Sequence, residues 1–534
     1  MKYRIIFAGL FMSLWIGAGN ARAEVLTTPV AGPLILEVDG EVQKVGFPAG
    51  DGRGLYFQAD DVKEIFGISV LDYPDGTVIL QGGDTKATLT DEVVRNQSGL
   101  LIPVETITDL FGYGMDWKMG SNRIGFRSPF PGVKTTESRR KRMLPSEYDY
   151  REAGRAPKVK NQGQYGTCWS FASLTALESA GLPKIDQEYS VDHMSLQNSF
   201  ALEQEEGGEY TMSMAYLLAW QGPVLEEEDP YGDQYSPDGL KPSLHVQEIQ
   251  MPPDDDRIAI KESIFLYGGV QSSLYMSMTD SSSHSVYYNE NRYAYCYAGD
   301  EVPNHDVVII GWDDHYPREN FQMELEGDGA FLCQNSWGSE FGDGGRFWVS
   351  YYDQYIGKTN LVYTGLEKPD DSEKIYQSDL CGWVGQMGYG REDAYGANVY
   401  QTEVQETLHG AGFYATGEHT SYEIYVARDL EHNKGFQKRQ LMAKGEVRYS
   451  GYYTVKWDDG IELEPGERFA VILYVKTLGA VHPLAIEYRA DDATSMADIS
   501  DGEGYISAGG AVWERAEENY QCNLCLKAYT TIRR

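Results

Sequence analysis

Three side chains able to do covalent chemistry together are spread through the middle of the sequence: Cys168, His305 and Asn335. Cys168 stands in Gln162-Gly163-Gln164-Tyr165-Gly166-Thr167-Cys168-Trp169-Ser170-Phe171-Ala172, where a glycine-rich loop gives way to a helical pattern with Phe171, Leu174 and Leu177 on its buried side. A thiol that opens a helix meets unpaired N–H groups and the positive end of the peptide dipoles. Both favour the thiolate, the form that attacks a carbonyl at neutral pH. His305 begins the apolar, strand-like run Val307-Val308-Ile309-Ile310-Gly311-Trp312 and can serve as the base. A second strand, Gly329-Ala330-Phe331-Leu332-Cys333-Gln334, leads directly into Asn335-Ser336-Trp337-Gly338.

The order Cys168, His305, Asn335, with the local motifs around each, resembles the papain-like cysteine peptidase family from about Leu144 to Gly365. Gln162, six residues before the cysteine, stands where that family keeps its oxyanion glutamine. Gly207-Gly208, followed by Gln221-Gly222-Pro223-Val224 and Glu228-Asp229-Pro230-Tyr231, is similar to its substrate-binding glycine pair and the segment after it. Gly268-Gly269-Val270 is similar to the start of its β domain. The resemblance implies a Cys168 thiolate that forms an acyl-enzyme and a His305 that protonates the leaving amine and then activates water. It further implies that Asn335 fixes the imidazole tautomer, Trp337 shields that bond, and Gln162 with the Cys168 N–H binds the oxyanion. Asp306 falls where the family borders the pocket for the second substrate residue before the cut. It is expected either to favour Lys or Arg there or to pair with a basic residue of the protein itself. The family's usual disulfide beside the nucleophile is absent as a pair, with Tyr165 and Glu205 in its places. Of the remaining five cysteines Cys333, inside an apolar strand, is the candidate for a free thiol.

Around this segment the chain changes character. The first 23 residues carry Lys2 and Arg4, an apolar run from Ile5 to Ala18 and Ala21-Arg22-Ala23, the pattern of a cleaved export signal. Between residues 24 and 130 the sequence repeats: Gly54-Leu55-Tyr56-Phe57 leads to Phe66-Gly67 as Gly99-Leu100-Leu101-Ile102 leads to Phe111-Gly112. Each unit reads as strand, short helix, glycine stop and strand. It resembles the copper amine oxidase N-terminal-like domain of secreted bacterial proteins, yet it supplies no histidine, so no copper and no other cofactor is expected. A linker at 131–143 holds the basic cluster Arg139-Arg140-Lys141-Arg142, a candidate processing site or a solvated hinge. A second linker at 367–373 separates the 144–366 segment from residues 374–534. There alternating Phe469, Val471, Leu473 and Val475, and Tyr422, Ile424 and Val426, predict an antiparallel sandwich able to fold on its own. That end resembles the lectin-like domain found after papain-like peptidases, which makes a cell-surface glycan a candidate ligand. Cys522 and Cys525 have C-x-x-C spacing without a second pair, so no metal is expected there.

The fold class expected is therefore α+β: a papain-like two-lobed peptidase domain, preceded by a small repeated α+β module and followed by an all-β sandwich. With 45 basic and 81 acidic side chains the net charge is −36, which argues against nucleic acid or anionic lipid as partner. Beyond the leader no stretch reaches membrane-spanning length. The sequence predicts a secreted cysteine endopeptidase acting on protein or peptide. The competing readings are a surface adhesin using the peptidase fold as scaffold and a cell-wall peptide amidase with the same triad.

Overall fold

A computed structural model describes residues 144–428, 430 and 436–533, together with separate strands and helices between residues 28 and 127. The expected export signal at 1–23 and the Arg139–Arg142 cluster lie outside the described residues.

Both N-terminal units place a strand, Leu55–Gln58 or Gly99–Pro103, directly before an eight-residue helix, Ala59–Phe66 or Val104–Phe111. Those two strands pair antiparallel, and Phe57, Val62, Phe66, Ile102, Val104 and Ile107 close a small core. Two such units share what neither could bury alone. Phe265, on the helix Arg257–Leu266 of the central domain, packs against this cluster and against the central core.

The central domain has two lobes. The first is helical and is organised on Cys168–Gly181. That helix was expected to be buried on one side, but Trp169 through Ser179 are buried almost without interruption. The reason is position: the helical lobe, including Tyr210–Leu218, covers one flank while His305–Asp313 and Asn360–Glu367 cover the other, so no face meets water. The second lobe is antiparallel sheet. His305–Asp313 runs between Val270–Leu274 and Ala330–Gln334, with Leu274 opposite His305 and Gln334 opposite Val308.

The C-terminal domain packs a six-stranded sheet, with Asp393–Gln401, Thr420–Arg428 and Arg468–Lys476 at its centre, against Glu406–Ala415, Ser450–Leu463 and Leu526–Ile532. Phe469, Val471, Val475, Ile424 and Val426 are buried between the layers. All these pairings are antiparallel.

The domain expected to fold on its own is joined to the central one through sheet and core. One thirteen-stranded sheet runs from the central domain into the C-terminal one, because His245–Met251 pairs with Asn360–Glu367 on one side and with Ser450–Leu463 on the other. At the seam Gly451 has φ +137°, and a Cβ there would lie 2.1 Å from the Ile249 carbonyl oxygen, so only glycine permits the two backbones to meet. Tyr414, Tyr452, Ala485 and Cys525 of the C-terminal domain belong to the central core.

Near the seam the C-terminal domain buries charge. Lys527 pairs with Asp379 at 2.8 Å with both side chains inaccessible, and Asn523 Nδ2 donates to Glu487 Oε2 (2.6 Å). Burial, and then the nearby Asp379 carboxylate, push Glu487 up to about 7. Its folded pKa exceeds the unfolded value of roughly 4.3. Its stabilising contribution is therefore complete below that value and is lost as pH rises through about 7. The melting temperature is expected to fall between pH 5 and pH 8, and Glu487→Gln, which cannot ionise, to fall less. Calorimetry across that range checks this, and an equal fall in both proteins would contradict it.

Candidate active site

The nucleophile candidate sits where the helix begins. Thr167 precedes it without a side-chain cap, and its carbonyl accepts from the N–H groups of Ser170 and Phe171. Cys168 is half-buried, and the backbone N–H groups of Asp306, Trp169 and Cys168 itself are turned toward its sulfur. The sulfur therefore lies against the strand that carries His305.

His305 is buried at the first position of that strand. Its Nε2 bonds to Asn335 Oδ1 at 2.7 Å. The Ser336 N–H donates to the same Oδ1 at 2.8 Å, which identifies that atom as the oxygen of the amide. In the neutral ring Nε2 is then the protonated nitrogen, and Nδ1 keeps its lone pair. The Trp337 ring lies 4.9 Å from the imidazole, tilted by 36°, and Phe341 packs on Trp337 from behind.

Gln162 is placed by two loops stitched together. Its N–H donates to Ser336 O (2.8 Å) and Gly338 N donates to Lys160 O (2.9 Å). Ser336 Oγ donates to Gln162 Oε1 (2.6 Å), while Gln162 Nε2 donates to Tyr165 O (2.9 Å). With its oxygen held by Ser336, the amide's Nε2 keeps a second proton beyond the one given to Tyr165 O. Tyr231 adds a tie, its hydroxyl donating to Gln162 O and meeting Thr167 Oγ1, both at 2.8 Å.

Gly207 and Gly208 lie beside this loop. Gly166 N donates to Gln204 O (3.0 Å), and a Cβ on Gly166 would lie 2.9 Å from Gly207 N. A Cβ on Gly208 would enter the Trp169 ring at 2.6 Å. Both glycines are thus required by close backbone packing next to the start of the Cys168 helix.

Asp306 turns away from the imidazole, as neighbouring strand positions do. Among the described residues no basic side chain pairs with Asp306, whose carboxylate is held by neutral side chains. Gln271 Nε2 donates to Asp306 Oδ2 (2.8 Å), Ser273 adds a second bond, and Gln271 is itself held by Ser173 Oγ (2.6 Å).

Electrostatically the isolated charges are disfavoured. Burial, then the Asp306 carboxylate, push the Cys168 thiol up to about 12, against the three N–H groups around it. Burial takes His305 down to about 4, opposed by the Asn335 bond. A thiolate and an imidazolium formed together would offset one another.

Sequence profiles decide what this arrangement belongs to. That of the papain family cysteine protease matches residues 144–364, and that of a lectin-like domain matches residues 375–530. Residues 144–364 form a papain-like cysteine peptidase domain. A lectin-like all-β domain follows it. Among curated proteins the chain is 30% identical over 240 residues to mouse cathepsin S, covering 43% of this chain and 64% of that protein. To mouse cathepsin K it is 25% identical over 209 residues, 38% and 58% respectively. The chain thus spans about three fifths of the length of these two relatives. Among solved structures the clostridial cysteine protease Cwp84 after propeptide cleavage is 26% identical with a TM-score of 0.65, covering 72% of this chain and 99% of that one. The protease and lectin-like domains of Cwp84, described as a surface layer associated protein of Clostridium difficile, give a TM-score of 0.63 at 26% identity, covering 76% and 91%.

The peptidase domain brings Cys168, His305, Asn335, Gln162 and Trp337 to one place, with Gly207 and Gly208 alongside. Sequence reading missed Ser336, which sits inside the Asn-Ser-Trp-Gly motif and was legible as a partner for Gln162. It also missed Tyr231, Gln271 and Ser273, whose roles depend on folding. None of the six cysteines is paired, Cys333 among them.

Proposed function

We propose that the chain is a secreted endopeptidase that cleaves protein or peptide through a Cys168 acyl-enzyme. The observation that carries this reading is the His305 Nε2–Asn335 Oδ1 bond of 2.7 Å, which leaves Nδ1 basic on the strand against which the Cys168 sulfur lies. The thiol proton passes to His305, and the thiolate sulfur bonds to the scissile carbonyl carbon. The Gln162 amide and the Cys168 N–H hold the oxyanion. The intermediate collapses as His305 gives its proton to the leaving amine. Water then loses a proton to His305, attacks the thioester, and releases the carboxylate as the thiol is restored.

The repeated N-terminal module acts as a tether in this reading, with the copper amine oxidase N-terminal-like architecture and no copper. Its contact at Phe265 supports a tether over a plug, since that helix leads into the end of Val270–Leu274 remote from Leu274, the residue paired with His305. Export follows from the leader-like residues 1–23. The likeness to Cwp84 supports residence at a cell surface, with the lectin-like domain as an attachment for glycan.

Incubating the purified full chain, reduced, with a library of extended peptides and in parallel with isolated cell-wall peptide tests the reading. Internal cleavage of the extended peptides is expected. Release from wall peptide alone would move the enzyme to the amidase class, and turnover of neither would leave the adhesin.

A further inference from the structure

We infer that Gln334 is a positioning residue for Asn335, and that it acts through one water molecule held in a cavity beside the Asn335 amide. The inference rests on the peptidase reading above and adds to it a residue that sets the orientation of the His305 imidazole.

The Asn335 amide has two ends, and the bond to His305 uses only one. Oδ1 is bonded to His305 Nε2 (2.7 Å) and accepts from the Ser336 N–H (2.8 Å). Nδ2 is buried and has no hydrogen-bond partner, in a residue that is 3% exposed. Rotating the amide would exchange its ends and turn a donor toward the protonated Nε2. Whatever satisfies Nδ2 therefore also keeps Oδ1 on the imidazole.

The neighbouring residue has the complementary defect. Gln334 ends the strand Ala330–Gln334 and is also 3% exposed. Its Nε2 donates to Lys158 O (3.2 Å), which fixes the plane of the amide, while Oε1 is buried without a donor. A buried donor and a buried acceptor, each unsatisfied, are a costly pair unless something joins them.

Gln334 and Asn335 line the same small cavity. Phe171 and Thr175 of the Cys168 helix and Val308 of the His305 strand complete its walls, and the space suits about one water molecule. The charged groups and the serine around it are committed elsewhere: Lys160 Nζ to Glu178, Asp306 to Gln271 Nε2 (2.8 Å) and Ser273, Ser336 Oγ to Gln162 Oε1 (2.6 Å). Among the described lining residues, Asn335 Nδ2 and Gln334 Oε1 are the buried polar atoms without a partner. A water that accepts from the first and donates to the second satisfies both, and two such partners are enough to hold it. Through it the Gln334 carbonyl restrains rotation of the Asn335 amide, and Asn335 in turn restrains the imidazole. Gln334 itself touches neither the substrate nor the reacting atoms.

The test introduces Gln334→Met, which keeps the length of the side chain and removes its oxygen, into the full-length native protein and into Asn335→Ala. In the native background kcat on an extended peptide should fall about two- to tenfold, the worth of one hydrogen bond, with KM unchanged. In the Asn335→Ala background the same substitution should change kcat by less than about twofold, because the amide it restrains is gone. A purely structural role, carried by the bond to Lys158 O, would lower kcat alike in both backgrounds and overturns the inference, as does an undiminished kcat in the native background. High-resolution crystallography of the native protein should place a water within about 3.2 Å of both Asn335 Nδ2 and Gln334 Oε1. A dry cavity overturns the inference whether or not the variants fold. Each of these failures leaves the peptidase reading standing. Absence of any cleavage by the native protein, with Cys168 unreactive to a thiol-directed epoxide, overturns both.

Discussion

Cys168→Ala is expected to reduce peptide hydrolysis to the uncatalysed background while the protein remains folded. In the proposed mechanism the sulfur is the atom that bonds to the substrate carbonyl, and its removal leaves no nucleophile. Its removal opens little space, because Cys168 is only half-buried at a helix start. Substitutions around it should grade differently. Asn335→Ala removes the acceptor that holds the imidazole tautomer but not the base, so kcat/KM should fall about 10- to 100-fold, short of the roughly 10² to 10⁴-fold that general acid–base catalysis supplies. Gln162→Ala removes the proposed oxyanion donor and should cost about 10² to 10³ in kcat. Steady-state kinetics on the three variants, with circular dichroism to confirm folding, checks the series. Wild-type turnover in Cys168→Ala would remove the covalent mechanism.

The second large effect is structural and is read far from the nucleophile. Tyr452 is inaccessible to solvent, its hydroxyl meets that of Tyr529 at 2.6 Å, and its ring stands edge-on to Tyr414 at 4.9 Å. It pairs with Ile249 across the seam between the peptidase and lectin-like domains. Tyr452→Ala should cost about 3 to 5 kcal/mol, the range for removing a large buried aromatic side chain. Because the sheet and the core are continuous, both domains are expected to melt together and earlier, with peptidase activity lost in the same transition. Differential scanning calorimetry with an activity readout decides it. A lectin-like transition that shifts alone, with the peptidase domain melting at the native temperature, would show two independent units.

The contrast between that seam and the active site explains what the sequence made legible. Cys168, His305, Asn335 and Gln162 announce themselves because each needs a particular side chain in a particular local element, and the loop glycines and apolar strands that set those elements are contiguous in the chain. The strand alternation of Phe469 to Val475 is legible for the same reason. Backbone pairing between His245–Met251 and Ser450–Leu463 has no such mark. Its residues look like any two strands, and the requirement at Gly451 appears only once Ile249 O is known to lie 2.1 Å from the missing Cβ. The helix Cys168–Gly181 suggested one buried side, since periodicity cannot report a second layer arriving from elsewhere in the chain. Asp306 was visible as an unusual carboxylate, but Gln271 and Ser273, which bond to it, lie on a neighbouring strand, so no local pattern could join them.

Treatment of the reduced, full-length protein with a thiol-reactive peptidyl epoxide, followed by mass spectrometry of its proteolytic fragments, tests the acyl-enzyme chemistry most directly. One equivalent of label on Cys168, none on the five other cysteines, and none in Cys168→Ala is the expected result, because Cys168 alone is not fully buried, and N–H groups surround its sulfur. Labelling spread over other cysteines, or an unmodified Cys168 in protein that still cleaves peptides, would contradict it.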